Sequence, residues 1–352
     1  MAKTKMSSYE RVMAAIGHQE ADRVPMFLLL SMYGAKELQM PIKEYFASVQ
    51  NIVKAQLMMK EKYQNDCIYT FFYAPIEIEA WGGEVIFVDD GPPNSGEPFL
   101  KQIKQISALE VPRIEETPCL LKVLETTETL KHAVGNSTPI IGVVMSPFSL
   151  PVMQLGFEKY LEVLYFQKDY FAKLMRTNIE FCVSWANAQI RAGATAICYF
   201  DPLSSPTIIE RSTYLETGYV IAQETLSRIK GPTATHLASG LTLSVIEDII
   251  RTGTAVLGFS YKDNLDEIKK VAKNRICLLG NLNGVDMVNW NPQQIEANVK
   301  RIIAKAGANG GLIISDNHGE IPWQVPEEVL IGISESVRRW GNYPLNWVTE
   351  DE

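Results

Sequence analysis

Histidine and cysteine are scarce in this chain, and neither is clustered. Its 352 residues hold four histidines and five cysteines. Cys67, Cys119, Cys182, Cys198 and Cys277 are odd in number, scattered and without a CxxC pair. That pattern excludes a disulfide framework and predicts a reducing, cytoplasmic setting. Long basic runs are also missing, and the formal charge is -8. Nucleic acid is therefore not an expected partner. A neutral or basic small molecule, or a partner protein, fits better. No apolar run reaches the length of a membrane span, so no membrane association is expected. Met1 to Arg11 is polar and lacks an apolar stretch, which predicts no secretory leader. A glycine-rich first βα turn, the mark of an open doubly wound sheet, is absent as well.

What the chain does have is alternation. Hydrophobic residues make up 46%, enough for a sizeable core. Short apolar runs recur at Val24–Leu30, Cys67–Phe72, Pro139–Met145, Thr195–Phe200, Thr233–Leu237, Ala255–Ser260, Arg275–Leu279 and Gly311–Ser315. Between them lie stretches with apolar residues at helical spacing: Ile42–Tyr63, Glu158–Arg191, Pro206–Ile229, Leu243–Thr252, Leu265–Ala272, Pro292–Ala306 and Pro326–Trp340. Pro206, Pro292 and Pro326 stand where a first helical turn tolerates proline. Gly193 and Gly307 follow long helical stretches, as C-terminal caps do. Eight strands alternating with helices predict an α/β fold, a (β/α)8 TIM barrel, as one domain over residues 1–352. The exception is Tyr73–Glu116, rich in glycine and proline around a short strand, Glu84–Val88. It is expected as an insertion after the second strand, lying over the barrel mouth.

In a barrel of this kind the chemistry sits at the C-terminal ends of the strands. Asp201 follows the fourth strand, His236 ends the fifth, Asn281 and Asn283 follow the seventh, and Asp316, His318 and Glu320 follow the eighth. Two imidazoles and the Asp201 carboxylate would make a zinc site with an open position. The alternative is that each histidine caps a loop or donates to a backbone carbonyl, as ordinary polar lining of a pocket. Tyr73, at the end of the second strand, is a candidate substrate contact, as is Tyr199. Of Tyr199 and its neighbour Cys198, one should face the barrel interior and the other the helices. Phe71, Phe72, Trp81 and Phe148 could form an aromatic wall, or simply core. Glu77 and Glu79 are expected on the solvated face of a short helix.

Certain segments are familiar. Arg11 through His18, Asp22 and Arg23 to Pro25 resemble the N-terminal signature of the uroporphyrinogen-decarboxylase superfamily. So do Ala192-Gly193-Ala194 through Asp201-Pro202, Gly280-Asn281-Leu282-Asn283, and Pro322 to Leu330. The resemblance runs from about Ser7 to Gly341. Decarboxylases of the superfamily resemble one another in an arginine- and glycine-rich loop after the first strand. Here that loop is Leu30-Ser31-Met32-Tyr33-Gly34-Ala35, with no arginine to grip a polycarboxylate. Tyr73 stands nearest the place of their substrate-centring aspartate.

The other branch, similar in length, N-terminal signature and fourth-strand loop, holds corrinoid-dependent methyltransferases. Methylcobamide:coenzyme M methyltransferases carry a His-x-Cys zinc motif after the fifth strand and a Cys after the eighth. This chain keeps His236 but has Ala238 and His318 at the two thiolate positions. By this resemblance His236 and His318 bind zinc, with Asp201 or Glu320 as third ligand. Imidazole in place of thiolate leaves the metal more Lewis acidic, suited to polarising an oxygen. Failing metal, His236 or His318 acts as general acid. Asn281, Asn283 and Asp316 orient substrate or ligands, with Tyr73 and Tyr199 as further substrate contacts. The implied activity moves a methyl group between a small methylated substrate, a methoxy compound above all, and the cobalt of a corrinoid held by a partner protein. The alternative is a decarboxylase acting on a carboxylated substrate. The superfamily includes monomers and dimers, so a homodimer is compatible.

Overall fold

The computed structural model describes residues 6–348. The expectation of no secretory leader over Met1 to Arg11 and that of one domain over residues 1–352 therefore fall partly outside the described residues. Nine strands occur among them: β1 (Ile68–Tyr69), β2 (Val85–Ile86), β3 (Asn94–Ser95), β4 (Ile140–Met145), β5 (Ala196–Phe200), β6 (Thr233–His236), β7 (Val256–Gly258), β8 (Cys277–Leu279) and β9 (Leu312–Ile313). Seven of these form one curled parallel sheet in the order β1-β4-β5-β6-β7-β8-β9. The strands are short and apolar because helices cover their outer face.

Residues 24–30 lie between the two edges of this sheet but form no regular strand. Met26 makes a parallel bridge to Ile314, and the Ile314 N–H donates to Pro25 O at 2.9 Å. On the other side the Asp66 N–H donates to Met26 O at 2.8 Å. The ladder is incomplete for a local reason. Pro25 has no N–H to give, and the Leu28 N–H goes to the Asn65 side chain at 2.9 Å. The arrangement is an α/β fold consistent with a TIM-like barrel.

The N-terminal signature is a clasp at the base of the sheet. Arg11 bonds Asp22 at 2.6 Å and Asp66 at 2.7 Å, and Arg23 reaches Asp66 at 2.8 Å. Asp66 also accepts the Met26 N–H at 2.9 Å, so it ties the 24–30 segment to the loop before β1. The helix Ser8–Ile16 carries Val12 and Ala15 into the apolar interior, packed with Phe27, Val143, Cys198, Val256 and Ile313. It plugs the end of the curl opposite the candidate site.

Several long helical stretches are broken. Ile42–Tyr63 divides at Ser48, whose hydroxyl caps Asn51 N–H of the second piece. Glu158–Arg191 divides at Gln167 into Phe157–Phe166 and Lys168–Arg191. The stretch expected from Pro206 begins only at Arg211 and breaks again before Gly218. There a Cβ would stand 2.6 Å from Ser204 Oγ, so only glycine allows that approach. Pro292–Ala306 forms as expected, with an Asn291–Gln294 capping box and Pro292 at its first position. Residues 73–116 hold the helix Ile76–Ala80, the antiparallel pair β2–β3 and two short 3-10 turns. Among the described residues no helix is long and apolar enough to cross a membrane.

Candidate active site

A cavity of about 400 Å³ opens at the C-terminal ends of the strands. Its walls are Tyr69, Phe71, Phe200 and Trp323, with the Asp90–Asn94 turn of the 73–116 segment along one side. His318 and Glu320 face it from the loop after β9. None of the described lining residues is an arginine or lysine.

Glu320 is held by the loop after the 24–30 segment. Its carboxylate accepts from the Ser31 hydroxyl and, at 3.0 Å, from the Met32 N–H. Burial pushes the Glu320 carboxyl up to about 7, against the pull of those two donors and aided by nearby Asp316. It thus holds a proton for part of the time at neutral pH. His318 faces Asn283, with Nε2 2.9 Å from Asn283 Oδ1. In the tautomer that donates Nε2–H to this oxygen, Nδ1 is left as a lone pair. Partial burial keeps the His318 imidazolium disfavoured. Asp316 lies beneath, fully buried, accepting the Leu29 N–H at 3.1 Å and the His318 N–H at 3.2 Å. Burial lifts its carboxyl to about 6.

His236 lies behind Phe200, which lines the cavity, and is not itself part of the lining. Its ring stacks on Phe200 at 5.5 Å and 23°, and the side chain is 1% exposed. Burial, then the neighbouring His318, drops its pKa to about 4, so it is neutral at pH 7. Nδ1 accepts the Ala238 N–H at 3.0 Å. The ring proton therefore resides on Nε2, which has no hydrogen-bond partner. The ring needs Gly258 beside it, where a Cβ would fall 2.2 Å from His236 Cδ2. Gly258→Ala is expected to push the ring off Phe200 and to cost about 1–3 kcal/mol through overpacking. Urea unfolding, together with the upfield shift of the His236 ring protons, checks this.

Several expected site residues sit elsewhere. Asp201 does not face the cavity. Ser146 and Ser149 hydroxyls donate to its Oδ1 at 2.6 and 2.7 Å, and Ser204 donates to Oδ2 at 2.5 Å. Both oxygens are taken, so Asp201 ties together the loops after β4 and β5. Asp201→Ala orphans three buried hydroxyls and should destabilise the fold by about 3 kcal/mol. A lowered denaturant midpoint at constant m checks this. Tyr199 points outward into the layer between sheet and helices, while Cys198 points inward. Tyr73 donates to Glu79 at 2.6 Å and packs on Phe46 and Phe87, away from the mouth lining. Phe148 and Phe72 belong to that same outer layer. Asn281 is buried and donates to Ser260 O at 3.0 Å, with Oδ1 left without a partner. Glu77 is buried too, not on a solvated face. It accepts the Met145 N–H at 2.9 Å, and burial raises it to about 8.

The zinc set fares no better. Among the described residues no group of three His, Cys, Asp or Glu side chains is gathered for a metal ion. Asp201 is spent on serines and His236 presents a proton rather than a lone pair. These residues do not fit the metal centre expected of them. The structure does bring His236, His318, Asn283, Asp316 and Glu320 to one end of the sheet. Sequence reasoning missed Ser31 and Trp323. Ser31 had no local signal, since its partner Glu320 is 289 residues away.

An α/β fold with a curled parallel sheet, consistent with a TIM-like barrel, and buried titratable groups at the carboxyl ends of its strands defines the class. The family model described as uroporphyrinogen decarboxylase (URO-D) matches residues 7–340, and the chain belongs to that family. It is 29% identical over 250 residues to a protein named uroporphyrinogen decarboxylase from Geobacter sulfurreducens, covering 68% of this chain and 71% of that one. A protein of the same name from Citrifermentans bemidjiense is 27% identical over 266 residues, covering 72% and 74%. Among solved structures, a methyltransferase from Methanosarcina mazei superposes with a TM-score of 0.83 at 19% identity, over 95% of this chain and 99% of that one. A B12-independent methionine synthase from Shewanella sp. W3-18-1 gives 0.55 at 10% identity, over 92% and 96%. The structural likenesses concern the fold.

Proposed function

We propose that this chain is a methyltransferase that moves a methyl group between a small uncharged methylated compound, a methoxy compound above all, and the cobalt of a corrinoid carried by a partner protein. The observation that supports it most is the mouth cavity: aromatic walls, a carboxyl raised to about 7, and no arginine or lysine in its lining. A polycarboxylate would enter such a cavity without a counter-charge, which is costly. A neutral methoxyarene would not.

The chain's own residues bind and protonate. Phe71, Phe200 and Trp323 stack the ring and exclude water. Glu320, in its protonated form, donates to the substrate oxygen as the carbon–oxygen bond breaks. The electron pair of that bond stays on oxygen, which leaves as a hydroxyl. A Co(I) corrinoid supplies the electron pair that takes the methyl group. His318, fixed by Asn283, offers Nδ1 as acceptor for a second polar group on the substrate. No step is routed through zinc.

The same reading takes residues 24–30 as the eighth stave of a (β/α)8 barrel and 73–116 as an insertion at its mouth. It places the protein in the cytoplasm, in keeping with five free, buried cysteines. A second reading, a decarboxylase for a smaller acid, is favoured by the names of the relatives at 27–29% identity.

The test follows the visible spectrum of a Co(I) corrinoid protein while methoxyarenes, methylamines and methylthiols are offered in turn. Conversion to the methyl-cobalt spectrum with a methoxyarene is the expected result. Release of CO2 from a carboxylated substrate without any corrinoid would overturn the proposal in favour of the second reading.

A further inference from the structure

Tyr69 ends β1, and its side chain is part of the mouth wall. Neighbouring rings fix its direction. Phe27 meets it edge-on, with centroids 5.6 Å apart at 86°, and Phe71 flanks it at 5.5 Å. The backbone beneath is fixed too, with Tyr69 in register with Ile141 of β4. Held in this way, the hydroxyl donates to Gly319 O at 3.1 Å, across 250 residues of sequence. Burial first, then Cys198, Glu320 and Asp316, holds this hydroxyl far above the ordinary tyrosine range, so it remains a donor.

Gly319 is the residue between His318 and Glu320. Its φ is +92°, and a Cβ there would fall 2.6 Å from Phe200 Cε2. Glycine is therefore required, and glycine leaves the peptide free to turn unless a bond holds it. The side chains on either side are held at their tips, His318 by Asn283 and Glu320 by Ser31 and Met32. Among the described residues, the buried Gly319 carbonyl accepts from Tyr69 alone. We infer that Tyr69 is a positioning residue, whose bond to Gly319 O sets the direction in which the Glu320 carboxyl meets substrate. The inference rests on the reading of Glu320 as the acid of the mouth. Without the hydroxyl a buried carbonyl loses its donor, and the peptide turns to find another. A displacement of about 1 Å in a reacting group costs up to about 10²-fold in rate.

The experiment uses Tyr69→Phe in the full chain, which keeps the ring and removes the hydroxyl. It should lower kcat by up to about 10²-fold with KM unchanged. In a Glu320→Gln background the same change should cost nothing further, because the group it positions is gone. A packing role would cost as much in both backgrounds. A second readout needs no turnover. With carbon and nitrogen labelled for NMR, the Gly319 carbonyl resonance should move upfield in Tyr69→Phe, with new exchange broadening confined to His318, Gly319 and Glu320. A wild-type chain that transfers no methyl group would sink the reading of the reaction, and the resonances would then judge the tether by themselves. Should Tyr69→Phe fail to fold, the wild-type chain decides: a nuclear Overhauser contact between the Tyr69 hydroxyl proton and Gly319 Hα is expected, and its absence overturns the inference. So does an unchanged kcat, an equal loss in both backgrounds, or a Gly319 carbonyl that does not move.

Discussion

Glu320→Gln should lower the rate of methyl transfer by about 10²–10⁴-fold, the usual contribution of a positioned acid. The amide keeps the shape and still accepts from Ser31 and Met32, so substrate affinity should change little. The pH profile separates this from a packing effect. The Glu320 carboxyl is raised to about 7 by burial and by Asp316. Below that pH it holds the proton it must give, and activity is level. Above it the carboxylate dominates, and activity should fall about tenfold per pH unit. Glu320→Gln should lose that limb altogether. His318 and Asp316 face the same group, and burial disfavours charge on each. Asp316, lifted to about 6, ionises just below this limb and acts on it by raising Glu320, while the His318 imidazolium stays disfavoured. Measurement of kcat from pH 5 to 9 on both proteins decides. A variant with wild-type rate and the same limb would remove Glu320 from the chemistry.

Asp66→Ala should be the most destabilising single substitution in the clasp. Asp66 is 1% exposed and accepts from Arg11, Arg23 and the Met26 N–H. Its removal leaves the Arg23 guanidinium without an anion, while Arg11 keeps its bidentate pair with Asp22. With Arg11 still paired and Arg23 partly exposed, the loss should lie near the lower end of the 3–5 kcal/mol range for breaking a buried pair, about 3 kcal/mol. It also releases the 24–30 segment that bridges the edges of the sheet. Denaturant unfolding should show the loss at low temperature, where the variant still folds. Activity per folded molecule should be unchanged, because the clasp lies at the base and the cavity at the mouth. A variant as stable as the parent would show that Met26 and Ile314 hold the edge unaided.

Seven of the eight expected strands were legible because each is a short apolar run bounded by turn residues. The first was legible as a segment but not as a strand, since Pro25 and the side chain of Asn65 replace part of its ladder. Helix starts were clear where a cap or proline marks them, as at Asn291 and Pro292. They were misjudged where an interior serine restarts the helix, as at Ser48. The strand-end polar residues were legible as a group, because the sheet order follows from alternation. Their individual roles were not. Asp201 and Glu320 are both acidic residues just past a strand, and nothing local separates them.

The sequence by itself determined the family, the α/β class and the set of residues delivered to the mouth. These depend on which residues are apolar and at what period, and burial of apolar surface acts on that pattern directly. Only the tertiary structure decided which carboxyl is spent and which is poised. Asp201 meets Ser146 and Ser149 from 55 and 52 residues away, and Glu320 meets Ser31 across 289. Hydrogen-bond partners and burial set a group's charge state, and both come from chain segments that only folding brings together.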